Sequence, residues 1–263
     1  MTRPSLTDRL KESMQNSAIR LQDKTILLLG PFNGVIQALM RTLTELGADV
    51  AYVAVDTPVA GKYAEGVNEA REAHPDYGRA AHFDLPLRNA ADLKEAIGQV
   101  VERLGRMEVL IDASPLSWDK KSDRADSLSF AGLVAQAMIP YFSVRQRGRI
   151  VYLLEDLSLA QLATKEFPGN YQDELLEHIN LTSVAMKEHL VTVNGVSLGV
   201  TEDFILRHCP RETSIKKSLA HLQETRPGVR LVENTDISCC VAYLSCVQSA
   251  SITGQILRLT HGL

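Results

Sequence analysis

From Thr25 onward the chain repeats one phrase: a short apolar run, a turn of glycine or small polar residues, then apolar residues at helical spacing. This alternation constrains the fold more than any other feature. Apolar runs of four to six residues bounded by turns are about the right length for strands buried on both faces. A helix between each strand and the next implies right-handed crossovers, which lay helices on both faces of a parallel sheet. The expectation is therefore an α/β fold, a doubly wound parallel sheet.

The spacing predicts strands over 25–29, 49–55, 80–83, 109–111, 149–154, 192–197 and 254–260. Helices are predicted over 35–46, 64–73, 90–104, 127–142 (broken late by Pro140), 175–190, 211–225 and 236–246. Gly47 and Gly105 follow predicted helices, where a glycine can take the left-handed conformation that ends them. Residues 1–24 form an N-terminal extension, with Leu6, Leu10 and Met14 at helical spacing behind a capping Ser5 or Thr7. No linker or repeat divides 25–263, which reads as one domain with an insertion at 201–234.

A net charge of −4, with both signs interspersed, leaves no basic patch for nucleic acid. The longest apolar runs are too short to span a bilayer. The polar N-terminal stretch has no signal-peptide core, which fits a cytoplasmic protein. Cys209, Cys239, Cys240 and Cys246 form no CxxC pair and no zinc-ligand spacing with histidine, so the expectation is no metal and reduced, buried thiols.

Five segments carry a resemblance. They are Gly30-x-x-x-Gly34 between strand and helix, followed by Gly47-Ala48-Asp49-Val50; Phe83-Asp84-Leu85; Gly105-Arg106-Met107-Glu108-Val109-Leu110-Ile111; Gly148-Arg149-Ile150-Val151; and Ile252-Thr253-Gly254-Gln255-Ile256-Leu257. In this order, over about 24–263, the chain resembles the short-chain dehydrogenase/reductase (SDR) family. The resemblance implies a single Rossmann-like domain. It implies NAD or NADP as cofactor if the cleft is open, with Gly30, Gly34, Asp84 and Asp112 at cofactor-binding positions.

At those positions the sequence departs from the family pattern. Glycines in the dinucleotide loop let backbone N–H groups approach a pyrophosphate at a helix N-terminus. Here the loop reads Gly30-Pro31-Phe32-Asn33-Gly34-Val35-Ile36. Pro31 removes a donor, and Ile36 stands where the third glycine would be. Asp56 is a candidate ribose acid. The family's Asn-Asn-Ala-Gly becomes Asp112-Ala113-Ser114-Pro115. The family's catalytic Tyr falls at Tyr171, placed just before the predicted helix 175–190, but the Lys that lowers the Tyr pKa becomes Leu175. A lone tyrosine titrates near ~10 and is a poor base at neutral pH. The family's Ser position lies in Tyr152-Leu153-Leu154-Glu155, with Ser158 as a displaced substitute, and its Asn position falls near Ser127.

These departures point to a catalytically impaired SDR-fold subunit with no cofactor of its own. It would pair with a homologous active SDR subunit in a hetero-oligomer, or with itself, in the manner of hydroxyacyl-CoA or ketoacyl-thioester dehydrogenases. The apolar stripes Leu133, Ala137 and Tyr141, and Leu181, Val184, Ala185 and Leu190, are the expected interface. The alternatives are a divergent NAD(P)-dependent oxidoreductase using Tyr171, and a regulatory protein binding a nucleotide or acyl ligand. Arg207, Arg211, Lys216, Lys217, Arg226 and Arg230 form a candidate basic rim for an anionic ligand. Glu155, Asp156, Tyr171 and His178 are a candidate replacement set at the sheet's carboxyl edge.

Overall fold

The computed structural model describes residues 19–54, 57–87, 89–117, 124–143, 148–163, 169–209 and 214–261. The expected N-terminal helix around Leu6, Leu10 and Met14, and the candidate ribose acid Asp56, lie outside these residues. Among the described residues, seven strands form one parallel sheet in the order β3-β2-β1-β4-β5-β6-β7. They are β1 (Thr25–Leu29), β2 (Asp49–Ala54), β3 (Ala80–Asp84), β4 (Val109–Asp112), β5 (Arg149–Glu155), β6 (Thr192–Leu198) and β7 (Ile256–Leu259). The chain runs outward from β1 to β3, then returns to the other side of β1 at β4. The β1/β4 boundary is thus the switch point, where folds of this kind open a crevice at the strands' carboxyl ends.

Strand periodicity separates two cores. Ile26 and Leu28 face one side of the sheet, under α1 (Gly34–Glu45) and α8 (Asn234–Ser245), whose Leu39, Leu43, Ile237 and Val241 complete that layer. Leu27 and Leu29 face the other side. They lie under α3 (Ala90–Leu104), α4 (Arg124–Ser143) and α5 (Gly169–Ala185), with Ile97, Val134 and Ile179. Each such side chain, removed from water, contributes roughly 1.5–3 kcal/mol. The edge is covered by α2 (Pro58–Ala73), while α6 (Glu202–His208) and α7 (Ile215–Thr225) build a satellite cluster. In it Phe204 and Ile205 pack with Leu159, Leu162, Leu222 and Val229.

The fold confirms the expected α/β class and corrects several boundaries. Pro140 does not break α4, which continues to Ser143. A proline this close to a helix end forfeits one late-turn bond rather than a whole helix. The helix predicted to begin at Leu175 begins at Gly169, so Tyr171 lies on it rather than before it. It ends at Ala185 and is followed by a single 3-10 turn, Lys187–His189. The basic insertion forms α7 from Ile215, capped by Ser214, and α6 ahead of it was not predicted. Cys209 and Cys246 are buried as expected, but Cys239 is exposed and Cys240 only half-buried.

Candidate functional site at the carboxyl edge of the sheet

The loop after β1 is held by its neighbours. Gly30 has φ +137°, and a Cβ there would stand 2.8 Å from the carbonyl carbon of Ala113. Only glycine suits that conformation and that approach to the end of β4. The Gly30 carbonyl accepts a hydrogen bond from the Tyr52 hydroxyl at 2.8 Å. Burial pushes this hydroxyl's pKa up to about 12, so it remains a donor. Phe32 packs its ring 5.7 Å from Tyr52 and 5.9 Å from Tyr63. This aromatic cluster packs the loop against β2 and α2.

The start of α1 is engaged by the chain itself. Asn33 caps the helix, its Oδ1 accepting the Ile36 N–H at 3.0 Å. Ile36, at the third-glycine position, is fully buried in the core. Gly34 leaves room for Asn234 of α8, whose Nδ2 would lie 3.0 Å from an added Cβ. Asp203, on α6, is half-buried. Burial raises the Asp203 pKa, while Arg207 acts in the opposite direction.

At the end of β4, Asp112 is wholly buried. Its Oδ1 accepts the Ser114 N–H at 2.9 Å, and its Oδ2 has no hydrogen-bond partner among the described residues. Burial raises its pKa. Asp84 ends β3 and is exposed.

The carboxyl end of β5 carries three separate networks. Tyr152 is fully buried, its hydroxyl 3.4 Å from both the Ala131 carbonyl and His178 Nε2. Thr182 Oγ1 lies 3.3 Å from the same His178 nitrogen. Burial lowers the His178 pKa, favouring a neutral imidazole in this network. Glu155, also buried, pairs with Arg207 and lies 3.2 Å from His208 Nε2. Asp156 accepts from Ser197 Oγ at 2.8 Å, and from Arg258 Nε at 2.8 Å and Nη2 at 2.6 Å. Burial alone would raise the Asp156 pKa, but Arg258, Ser158 and Ser197 outweigh it and hold the carboxyl below its ordinary value.

Several expected residues therefore do not converge. Glu155, Asp156 and His178 each belong to a different network. Ser158 sits in the 3-10 turn Leu157–Gln161, its N–H donating to Asp156 at 2.9 Å. Leu175 is wholly buried among the core residues of β5, α4 and α5. The side chains of Tyr171 and Ser127 are outside the described residues. Arg207, expected on an open basic rim, turns inward to Glu155. Two residues were missed, Asp203 and His208. The signal was present in Thr201-Glu202-Asp203: a Thr followed by two acids is a helix start. Thr201 Oγ1 accepts the Phe204 N–H at 3.0 Å.

A family model described as Enoyl-(Acyl carrier protein) reductase matches residues 30–263. The chain belongs to the short-chain dehydrogenase/reductase family. It is 23% identical over 261 residues to the 3-oxoacyl-[acyl-carrier-protein] reductase FabG of Thermotoga maritima, covering 93% of this chain and 99% of the relative. It is 25% identical over 254 residues to the FabG of Staphylococcus epidermidis, covering 92% and 99%. A short-chain dehydrogenase/reductase from Mycobacterium marinum superposes with a TM-score of 0.73 at 16% identity, over 93% of this chain and 96% of that one. Carveol dehydrogenase from Mycobacterium avium, solved in complex with NAD, superposes with a TM-score of 0.70 at 18% identity, over 92% and 98%. These likenesses confirm the fold expected from the sequence.

Family membership raises the question of a dinucleotide. At the start of α1 the Ile36 amide donates to Asn33, and Pro31 has no N–H to offer. Two of the loop's amide positions are thereby withdrawn from a pyrophosphate. No helix among the described residues is long and apolar enough to cross a membrane, and no metal-ligand cluster occurs among them.

Proposed function

We propose that this SDR chain is non-catalytic and acts as a structural subunit, associating with an active SDR paralogue of the kind that reduces acyl thioesters, or with itself. The observation that carries the reading is the buried Leu175. Proton transfer by a tyrosine near neutral pH needs a cation close enough to stabilise the phenolate, and Leu175 supplies none from the family's Lys position. Glu155, where the Ser would orient a carbonyl, is committed to Arg207 and His208.

The association half of the reading rests on apolar exposure. Leu181 and Val184 on α5 are 64% and 72% exposed, and Leu133 on α4 is exposed as well. Exposed apolar residues gathered on adjacent helices mark an interaction face more often than solvent-facing surface does. The likeness to FabG-type reductases supports an SDR subunit as the partner on that face.

The test has two arms. The purified chain is assayed for NADH or NADPH oxidation with acetoacetyl-CoA, where no turnover above background is expected. It is then co-expressed with SDR paralogues from its own genome, where a stoichiometric complex is expected to weaken on Val184→Arg. Turnover by the chain alone that disappears in Tyr171→Phe refutes the non-catalytic reading. A strictly monomeric chain that retains no paralogue refutes the subunit role.

A further inference from the structure

The amino-terminal edge of the sheet, at the far end from the β1/β4 crevice, carries a pocket of its own. It opens between the end of α5, the turn Lys187–His189, the first residues of β5 and β6, and the turn Val247–Ser249 after α8. Its volume is about 580 Å³, inside the span of about 300–1,000 Å³ common for small-molecule sites. Val184, Leu190, Val191, Val247 and Ala250 make an apolar wall. Val184, Leu190 and Val247 are each more than half exposed, so this wall is open apolar surface rather than core.

The polar groups of the pocket share one character. Arg149 and Lys187 bring two cations, and no carboxylate is among the described residues that line it. In a chain of net charge −4 this runs against the overall balance. Arg149 is buried, its Nη1 donating to the Gly148 carbonyl at 2.9 Å, and Lys187 is exposed at the turn. Thr192 is only 8% exposed, and its Oγ1 has no hydrogen-bond partner among the described residues. A buried hydroxyl without a partner costs stability, and its presence in the wall of a pocket is explained if a ligand completes it. Leu190 is a separate mark. It is held at φ +54°, a left-handed conformation that suits glycine far better than leucine. Strain of this kind persists where the side chain is put to use.

We propose that this pocket binds a small aliphatic carboxylate, with its chain against Val184, Leu190 and Val247 and its charge facing Lys187 and Arg149, the Thr192 hydroxyl donating to it. A neutral apolar ligand would dehydrate the cations without replacing their water, and a cationic one would be repelled. A nucleotide finds no stacking face, since no aromatic side chain is among the described residues that line the pocket. A carboxylate with an apolar tail satisfies both halves, through charge-assisted hydrogen bonds at one end and buried apolar area at the other. The inference goes beyond the subunit role and does not rest on it, although Val184 borders both this pocket and the association face of α5.

The experiment uses octanoate as probe, measured by isothermal titration on the full chain. Saturable binding with a dissociation constant below about 1 mM is expected. Acetate lacks the tail and 1-octanol lacks the charge, so each should bind at least about tenfold more weakly. Lys187→Gln should weaken octanoate about fivefold and leave 1-octanol unchanged. Leu190→Gly keeps the turn and removes part of the wall, and should weaken both probes. Thr192→Val preserves the shape and deletes the unmatched hydroxyl. It should weaken octanoate while holding or raising the melting temperature, so the loss cannot be ascribed to unfolding.

Absence of saturable octanoate binding overturns the proposal, as do equal affinities for octanoate and 1-octanol. Unchanged octanoate affinity in both Lys187→Gln and Thr192→Val overturns it too. Binding that disappears when the chain concentration is raised about tenfold assigns the pocket to self-association and also refutes the ligand site. Reductase turnover and paralogue capture are read separately without octanoate, so a failure of the subunit reading is distinguishable from a failure here.

Discussion

Replacing Glu155 with Ser restores the residue type that the family pattern has at this position, yet the structure predicts damage rather than rescue. The Glu155 carboxylate is 7% exposed and faces an Arg207 side chain that is 23% exposed and a His208 side chain that is 3% exposed. Removing it takes one charged acceptor from each of these two side chains. Breaking a fully buried pair from one side costs about 3–5 kcal/mol. Arg207 can recover part of its hydration, so the lower end applies, about 3 kcal/mol, a large share of the roughly 5–15 kcal/mol that stabilises a typical domain. Glu155→Gln keeps the volume and one acceptor and should cost about 1–2 kcal/mol. Urea denaturation followed by far-UV circular dichroism at pH 7 measures both, and the midpoint should fall further for Ser than for Gln. A double-mutant cycle with Arg207→Met should return a coupling of about 2 kcal/mol. If Glu155→Ser is as stable as wild type to within about 0.5 kcal/mol, or gains reductase activity, the reasoning about this pair is wrong.

Four further outcomes follow from individual side chains. Leu175→Lys puts an ammonium at a wholly buried apolar site, and should cost several (about 3 or more) kcal/mol by thermal melt while producing no dehydrogenase activity. Gly30→Ala forces a Cβ to within 2.8 Å of the Ala113 carbonyl carbon at φ +137°, and should destabilise by about 3 kcal/mol in the same assay. The depressed Asp156 pKa means its stabilisation is fully present above the unfolded-state value near ~4 and is lost as pH falls through the lower folded value. Arg258→Met should therefore move the acid unfolding limb to higher pH. Asp112 has the opposite sign: its raised pKa makes its ionisation unfavourable to the fold as pH climbs above ~4. Asp112→Asn should thus be stabilising by about 1 kcal/mol at pH 7, with the gain shrinking toward pH 4.

The sheet was legible because its signals are local and redundant. Thr25–Leu29 can be nothing but a buried strand of five residues, and Gly105, at φ +82°, ends α3 where the sequence places it. Helix ends without a glycine were misread. The start of α5 at Gly169 lies in a polar stretch where no apolar period announces a helix, and packing of its later turns carries the early ones along. Leu175 was legible as an apolar residue at the position that the resemblance gives to a Lys, but the partners of Glu155 were not. They lie 52 and 53 residues away, on a helix of seven residues marked locally by its Thr cap and the two acids after it. Such a helix is stable only through tertiary contacts, and tertiary contacts are what sequence periodicity does not report.

The changed positions at the carboxyl edge are compensated in pairs, and this bears on how the chain differs from its relatives. The carboxylate at 155 is met by Arg207 and His208, and the one at 156 by Arg258, Ser197 and the Ser158 N–H. Tyr152, buried where the family pattern has an amide, needs the Ala131 carbonyl and His178 to satisfy its hydroxyl. Each substitution is therefore locked by residues from a different element, α6, β7 or α5. Reversion of one member removes a hydrogen bond from each of its partners, at a cost typical of a perturbed network rather than of a surface change. On the non-catalytic reading proposed above, recovering the family's chemistry would require Leu175, Glu155 and the α6 contacts to change together. A set of residues coupled in this way is held by stability, and it persists whether or not the cleft is ever used.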